Sequence, residues 1–128
     1  MLLDSNIIIY ASRQEFADIR KFILDLELPY VSAISRIETL GFHKLAPAED
    51  DWLRRFFEVA EVIGINEAII DQAILLRRQR KMGLADSIIA ASAVATNLPL
   101  ATRNVADFAW VSGLRVVNPF ESAKPPGT

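Results

Sequence analysis

Met1-Leu2-Leu3-Asp4-Ser5-Asn6-Ile7-Ile8-Ile9 opens the chain. An apolar start that runs through a short polar step into β-branched residues reads as a buried strand. The pattern does not fix the strand's end, but Asp4 lies near it. Outward from this stretch, short strand-like runs alternate with longer helical ones. A helix is expected over 16–26, with Phe16, Ile19, Ile23 and Leu26 at helical spacing, and Pro29 stops it before a strand at Tyr30-Val31-Ser32. From Ser35 to about Leu45 a helix is expected with Ile37, Leu40 and Leu45 on one apolar side and Glu38 close to that side. Pro47 begins another helix, whose Glu49, Asp50 and Asp51 suit the positive first turn and are assigned to capping. A third strand over 62–65 follows, then Asn66 caps a helix running to about Lys81 that Gly83 ends. A helix from Ala85 or Asp86, a strand over 98–102, a loop or short helix over 103–108 and a strand over 114–117 complete the chain. This rhythm predicts an α/β fold: a three-layer α/β/α sandwich with a mostly parallel central sheet of about five strands.

The chain has 128 residues, enough for one domain with a sizeable core. Residues 1–121 are expected to form that domain and 122–128 a flexible C-terminal tail. Hydrophobic residues make up 52% and charged residues 23%, too apolar a balance for intrinsic disorder. With 14 Lys and Arg against 16 Asp and Glu the formal net charge is -2, so there is no global basic field and any nucleic-acid contact must be local. The absence of cysteine removes disulfides, thiolate zinc sites and cysteine nucleophiles. A single histidine, His43, is placed on a helix in a structural role and leaves a zinc site without its parts. No phosphate-cradling glycine loop occurs. The N-terminus lacks a signal-peptide pattern, and the apolar stretch 84–101 carries Asp86, Asn97 and Pro99. A cytoplasmic protein with no membrane role is expected.

Asp4, Glu38 and Asp86 are far apart in sequence, yet each falls where a strand ends or a helix begins. In parallel α/β sheets such positions converge on a crevice beyond the carboxyl ends of the strands. Carboxylates gathered there repel unless some are protonated or a hard cation neutralises them, and oxygen-only donors suit Mg²⁺ or Mn²⁺. Asn104 and Asp107, after the fourth strand, add two more oxygen donors, either of which can complete the site. A cation held this way suits phosphodiester hydrolysis. Taken singly, each residue has an ordinary use: Asp4 in a turn, Glu38 in an ion pair, Asp86 in a helix first turn, Asn104 and Asp107 as caps. Their joint placement is what points to chemistry. Arg77, Arg80 and Lys81 share a helix face at i, i+3, i+4 spacing and, with Arg103, are the candidate RNA contacts. The same basic cluster also fits a solvated helix end. Phe16, Phe22, Trp52, Phe56 and Phe57 follow helical spacing and read as core or subunit contact rather than a base-stacking platform.

Four motifs in order carry a resemblance: Leu2-Leu3-Asp4-Ser5-Asn6, Ser35-Arg36-Ile37-Glu38-Thr39-Leu40-Gly41, Leu84-Ala85-Asp86-Ser87-Ile88-Ile89-Ala90-Ala91-Ser92-Ala93, and Thr102-Arg103-Asn104-Val105-Ala106-Asp107-Phe108. Over 1–119 the sequence resembles a PIN-domain ribonuclease of the VapC toxin type. The resemblance implies that Asp4, Glu38 and Asp86 are metal ligands and that Asn104 or Asp107 completes the set. Ser5, Asn6 and Thr102 fall in supporting positions, Ser5 where the family more often has threonine. It further implies Mg²⁺ or Mn²⁺, endonucleolytic RNA cleavage leaving a 5′-phosphate, with tRNA or rRNA as target class, a homodimer, and neutralisation by a VapB-like antitoxin; the apolar helices between Phe16 and Phe57 are expected to leave an exposed groove for a helix or strand of that partner. An alternative is a catalytically inactive PIN-like RNA- or protein-binding module. An aspartyl-phosphate phosphohydrolase is disfavoured because position 6 is Asn, and a receiver domain because adjacent acids are missing from the first loop.

Overall fold

Leu2 and Leu3 have no exposed surface, yet they lie in opposite layers, because successive side chains of a strand point to opposite faces. Leu2, Tyr30 and Leu100 join one core cluster, and Leu3, Val31 and Ala101 the other. The computed structural model describes residues 1–122, so the expected tail lies, apart from Ser122, outside the described residues. The strands are β1 (Leu2–Leu3), β2 (Tyr30–Ser32), β3 (Glu61–Ile63), β4 (Leu100–Ala101) and β5 (Val116–Val117). They form one sheet in the order β3-β2-β1-β4-β5 with every pairing parallel. The helices are α1 (Ser5–Ser12), α2 (Ala17–Leu24), α3 (Ala33–Leu40), α4 (Pro47–Val59), α5 (Glu67–Gln79), α6 (Leu84–Thr96), α7 (Val105–Phe108) and α8 (Pro119–Ser122). Residues from α5 and α6 build the cluster on the Leu2 face; residues from α1, α2 and α4 build the one on the Leu3 face. The expected α/β/α sandwich is therefore present, with a sheet that is wholly parallel.

Several boundaries differ from expectation, each for a local reason. The isoleucine run 7–9 is helix, not strand. Asp4 leaves the strand at φ -68, ψ 152 and its Oδ1 accepts from the Ser5 amide at 2.8 Å, which starts α1 one residue after the sheet contact ends. Ile7, Ile8 and Ala11 are then fully buried against Ile19, Ile23 and Leu53, so tertiary packing overrides their β preference. α3 stops at Leu40, which leaves His43 in an exposed turn rather than on a helix. Pro47 does open α4, with Glu49 and Asp50 in its positive first turn, but no side chain caps the helix, and Asp50 and Asp51 pair with Arg54 and Arg55 one turn on. α5 ends at Gln79, before Gly83, and Gly83 stands at the start of α6. Asn66 does cap α5, its Oδ1 accepting from Ile69 N at 2.9 Å. Asn97, at φ 55 and ψ 39, takes the left-handed position that closes α6 and turns the chain into β4.

Phe108 is 1% exposed and sits in the Leu2-face cluster with Leu100 and Ile89. Phe108→Ala should cost about 3–5 kcal/mol by urea unfolding. A loss below about 1 kcal/mol would mean that α7 does not close this face of the core as described.

Candidate functional site

β1 lies between β2, the next strand in the chain, and β4, which the chain reaches only after crossing to the other side. Strand order reverses there, and the crevice beyond the carboxyl ends at such a point is where ligands bind in this class of sheet. Asp4 follows β1 and Thr102 follows β4, so both stand at its mouth. Thr102 Oγ1 donates to Asp4 Oδ2 at 2.7 Å, and Asp4 N donates to Ala101 O at 2.9 Å. Thr102 Oγ1 also accepts from Asn104 N at 3.1 Å, which fixes the start of the following loop. The Asp4 carboxylate is thus held by two donors, the Ser5 amide and the Thr102 hydroxyl, while being 5% exposed.

Glu38 reaches the same point from α3. The buried residues of α3 are Ser35 and Thr39, not Ile37. At 3.6 residues per turn Glu38 lies about 60° round the helix from Ser35, and Ile37 about 160° from it. Of the expected apolar side only Ile37 departs, at 69% exposed; Leu40 and Leu45 pack on the Leu3-face core, and Glu38 borders a buried stripe of small polar residues. Ser5 Oγ donates to Glu38 Oε1 at 2.6 Å and pairs with Ser35 Oγ at 2.8 Å. Asp86 enters from the first turn of α6, a helix that leads into β4 and so begins at the carboxyl edge of the parallel sheet.

Burial pushes the Asp4 carboxyl up to about 6, against the opposing hydrogen bonds from Thr102 and the Ser5 amide; the charges of Asp86 and Glu38 add to the rise. Asp86 is raised by burial first and then by Asp107 and Glu38. Asp86 thus feels or exerts repulsion with each of the other three acids expected from the sequence, Asp4, Glu38 and Asp107. Among the described residues no three of them close into a ready-made metal cage. An open, all-oxygen set is nevertheless what Mg²⁺ or Mn²⁺ takes, since Mg²⁺ uses one or two carboxylates and keeps several waters. Asn6, two residues from Asp4, has a buried Oδ1 with no donor among the described residues, a further unmet demand for a water or a ligand.

The other expected residues divide. Asn104 precedes α7, is exposed, and does not cap that helix with its side chain. Asp107 lines a cleft of about 320 Å³ together with Asp86, Arg80 and Lys81. Arg77, Arg80 and Lys81 do not share a helix face: α5 ends before Arg80, which is extended at φ -158, ψ 148. Arg77 Nε donates to Met82 O at 3.2 Å. Arg103 stacks its guanidinium over Phe120 at 4.2 Å and Tyr10 at 5.1 Å. Of the aromatic residues between Phe16 and Phe57, Phe56 is buried and Phe16, Phe22, Trp52 and Phe57 pack on the Leu3-face core.

Residues 1–113 match the PIN domain family. The chain belongs to the PIN domain family. No curated protein matches it. Among solved structures, a toxin-antitoxin complex from Klebsiella pneumoniae contains a chain 30% identical to this PIN domain, with a TM-score of 0.74 over 92% of this chain and 96% of that one. VapBC-1 from nontypeable Haemophilus influenzae is similar at 25% identity and a TM-score of 0.74, over 93% of this chain and 97% of that one. DNA-bound VapBC from Salmonella typhimurium shares the fold at 22% identity and a TM-score of 0.77, over 92% and 96%. The resemblance to a PIN domain of the VapC type therefore holds.

Two residues of this PIN domain site were not singled out by the sequence reading, Ser35 and Trp110. Each had a signal in an i, i+3 relation to an expected acid, Ser35 to Glu38 and Trp110 to Asp107, whose carbonyl accepts from the indole Nε1 at 3.0 Å.

A carboxyl raised from its ordinary 3.8 to about 6 favours folding only while it is protonated, so its contribution is complete below pH 4 and is lost as pH rises through about 6. In metal-free buffer Asp4→Asn should therefore raise stability at pH 7.5 by about 1–3 kcal/mol, since Asn caps a helix as well as Asp. The gain should vanish below pH 4. Thermal melts of both proteins across pH 4–8 check this; a variant less stable at pH 7.5 would show that the buried charge is not a cost.

Proposed function

We propose that this PIN domain is the toxin of a toxin-antitoxin pair, a Mg²⁺- or Mn²⁺-dependent endoribonuclease that hydrolyses RNA phosphodiester bonds. The observation that carries the reading is the gathering of Asp4, Glu38 and Asp86 at the switch point of the sheet, close enough to repel one another, with Asp107 beside Asp86. Asp4, Asp86 and Glu38 would hold the cation, with Asn104 or Asp107 completing the set. When bound, such an ion neutralises the acids, offsets charge developing on a phosphodiester and activates water for attack on phosphorus. The protein's own part is orientation. Thr102 and the Ser5 amide fix both oxygens of Asp4, and the Ser5 hydroxyl turns Glu38 toward it. Ser35 completes that hydroxyl's bonding and so holds its direction. Asn6 supplies an unspent oxygen at the same helix start.

The partners follow the same reading. The solved neighbours are complexes with their antitoxins by name, and this supports a VapB-like antitoxin here. Within the stretch expected to receive it, Leu24 is 70% exposed, as is most of Ile37. A homodimer, an RNA substrate of the tRNA or rRNA class and a 5′-phosphate product rest on the family resemblance. No described helix is long and apolar enough to cross a membrane.

Partner-free protein incubated with total small RNA should yield discrete 5′-phosphate ends only when Mg²⁺ or Mn²⁺ is present. Asp86→Asn should reduce cleavage by at least about 100-fold with an unchanged circular dichroism spectrum. Full activity in that variant would refute the site assignment. Failure of the wild type to bind Mn²⁺ in calorimetry would leave a binding module without catalysis. Ser5→Ala should weaken Mn²⁺ binding about 10–100-fold by freeing Glu38, and an unchanged affinity would remove Ser5 from the site.

A further inference from the structure

Beside the acids lies a cleft of about 320 Å³ whose opposite features do not cancel. Asp86 and Asp107 contribute to its lining, and so do Arg80 and Lys81 from the connection between α5 and α6. Among the described residues no ion pair joins the two sets; the ion pairs present are Lys21–Asp25, Arg54–Asp50 and Arg55–Asp51, all on helix surfaces. Trp110 also lines the cleft. Its Nε1 donates to Asp107 O at 3.0 Å, which fixes the indole, and the Arg80 guanidinium stands 5.4 Å from the ring centroid. The bond from Arg77 Nε to Met82 O braces the segment that presents Arg80 and Lys81. Aromatic, cationic and acidic groups are thus pre-placed around a space at the small end of ligand clefts.

We infer that this cleft is a nucleotide subsite, taking one nucleotide of single-stranded RNA next to the phosphodiester that the acids address. The inference deepens, and rests on, the nuclease reading. The base lies against the Trp110–Arg80 platform, since every base has a face that stacks on indole or guanidinium. The nucleotide's phosphate meets Lys81 and the free edge of Arg80. A duplex is disfavoured, because a paired base is stacked on both faces and offers none to this platform. The site also explains how a protein of net charge -2 can engage a polyanion: the cations are few, but they stand where one phosphate must lie.

Trp52→Phe leaves Trp110 as the sole indole and provides the test. Adenosine 5′-monophosphate, which has no internucleotide bond to cut, should quench its fluorescence saturably in Mg²⁺ buffer. Adenosine and ribose 5-phosphate should each bind at least about 5-fold more weakly, since stacking and phosphate contact both contribute. Arg80→Gln and Lys81→Gln, both at exposed positions, should raise the dissociation constant about 5–10-fold. In RNA cleavage Arg80→Gln should raise KM by a similar factor with kcat nearly constant, and should reduce the slope of log affinity on log salt by about 0.7. Absence of saturable quenching, or quenching unchanged in both variants, overturns the subsite. Cleavage without quenching retires the subsite and keeps the nuclease. Saturable quenching without cleavage does the reverse.

Discussion

A carboxylate almost wholly removed from water, at the one place where the strand order reverses, is the constraint on which the rest of this structure depends. An isolated buried charge is expensive and is tolerated only when donors or a counter-charge meet it. Asp4 meets the first condition and not the second. The Ser5 amide and the Thr102 hydroxyl satisfy its two oxygens, but Asp86 and Glu38 add repulsion, and burial still prevails in raising it to about 6. The geometry that supplies these donors is the fold itself. Thr102 can reach Asp4 only because β4 pairs with β1 across the switch point, and the Ser5 amide is free only because α1 begins there.

The same constraint accounts for the composition of the helices around the site. α1 and α3 meet through Ser5 and Ser35, and Thr39 returns its hydroxyl to the Ser35 carbonyl at 2.7 Å. Small polar residues that satisfy one another let two helices approach closely without a bulky apolar seam. That closeness brings Glu38, on the border of the stripe, to Ser5. A leucine at Ser35 would fill the space and push the carboxylate outward, so the polar character of this contact is tied to the position of the acid.

Features of the sequence that act locally were legible, and those that depend on packing were not. The strand and helix alternation, Asn66 as a cap, and the placing of Asp4 and Asp86 at element ends all follow from neighbours within a few residues. The isoleucine run 7–9 misleads because its burial comes from α2 and α4, far along the chain, and β-branched residues enter a helix when packing repays the modest propensity cost. Ile37 misleads for the converse reason: an apolar residue in an amphipathic-looking helix marks the core only if nothing else covers it, and here the protein's own core lies on the serine side. The spacing of Arg77, Arg80 and Lys81 predicts one helix face because charge spacing does not show where α5 stops. At φ -158 Arg80 has left the helix, and this departure turns a solvated basic cluster into one wall of the cleft.

The cleft shows why opposed charges can be kept apart at a functional site. Paired across it, Arg80 with Asp107 or Lys81 with Asp86 would neutralise each other and fill the space with side chains. Each cation is instead engaged elsewhere or left to solvent: Arg80 leans on Trp110, and Trp110 is tied by its indole to the backbone of Asp107 rather than to its carboxylate. Asp86 is left in repulsion with Asp107 and Glu38, and Asp4 in repulsion with Asp86 and Glu38, with no ion pair among the described residues to relieve either. A cation from solution then has charge to meet on one side, and an anionic strand has charge to meet on the other. Separation of charge over one small cleft therefore does more for selectivity than the overall balance of -2 could, because it requires a ligand that brings a phosphate and a flat base to the same place.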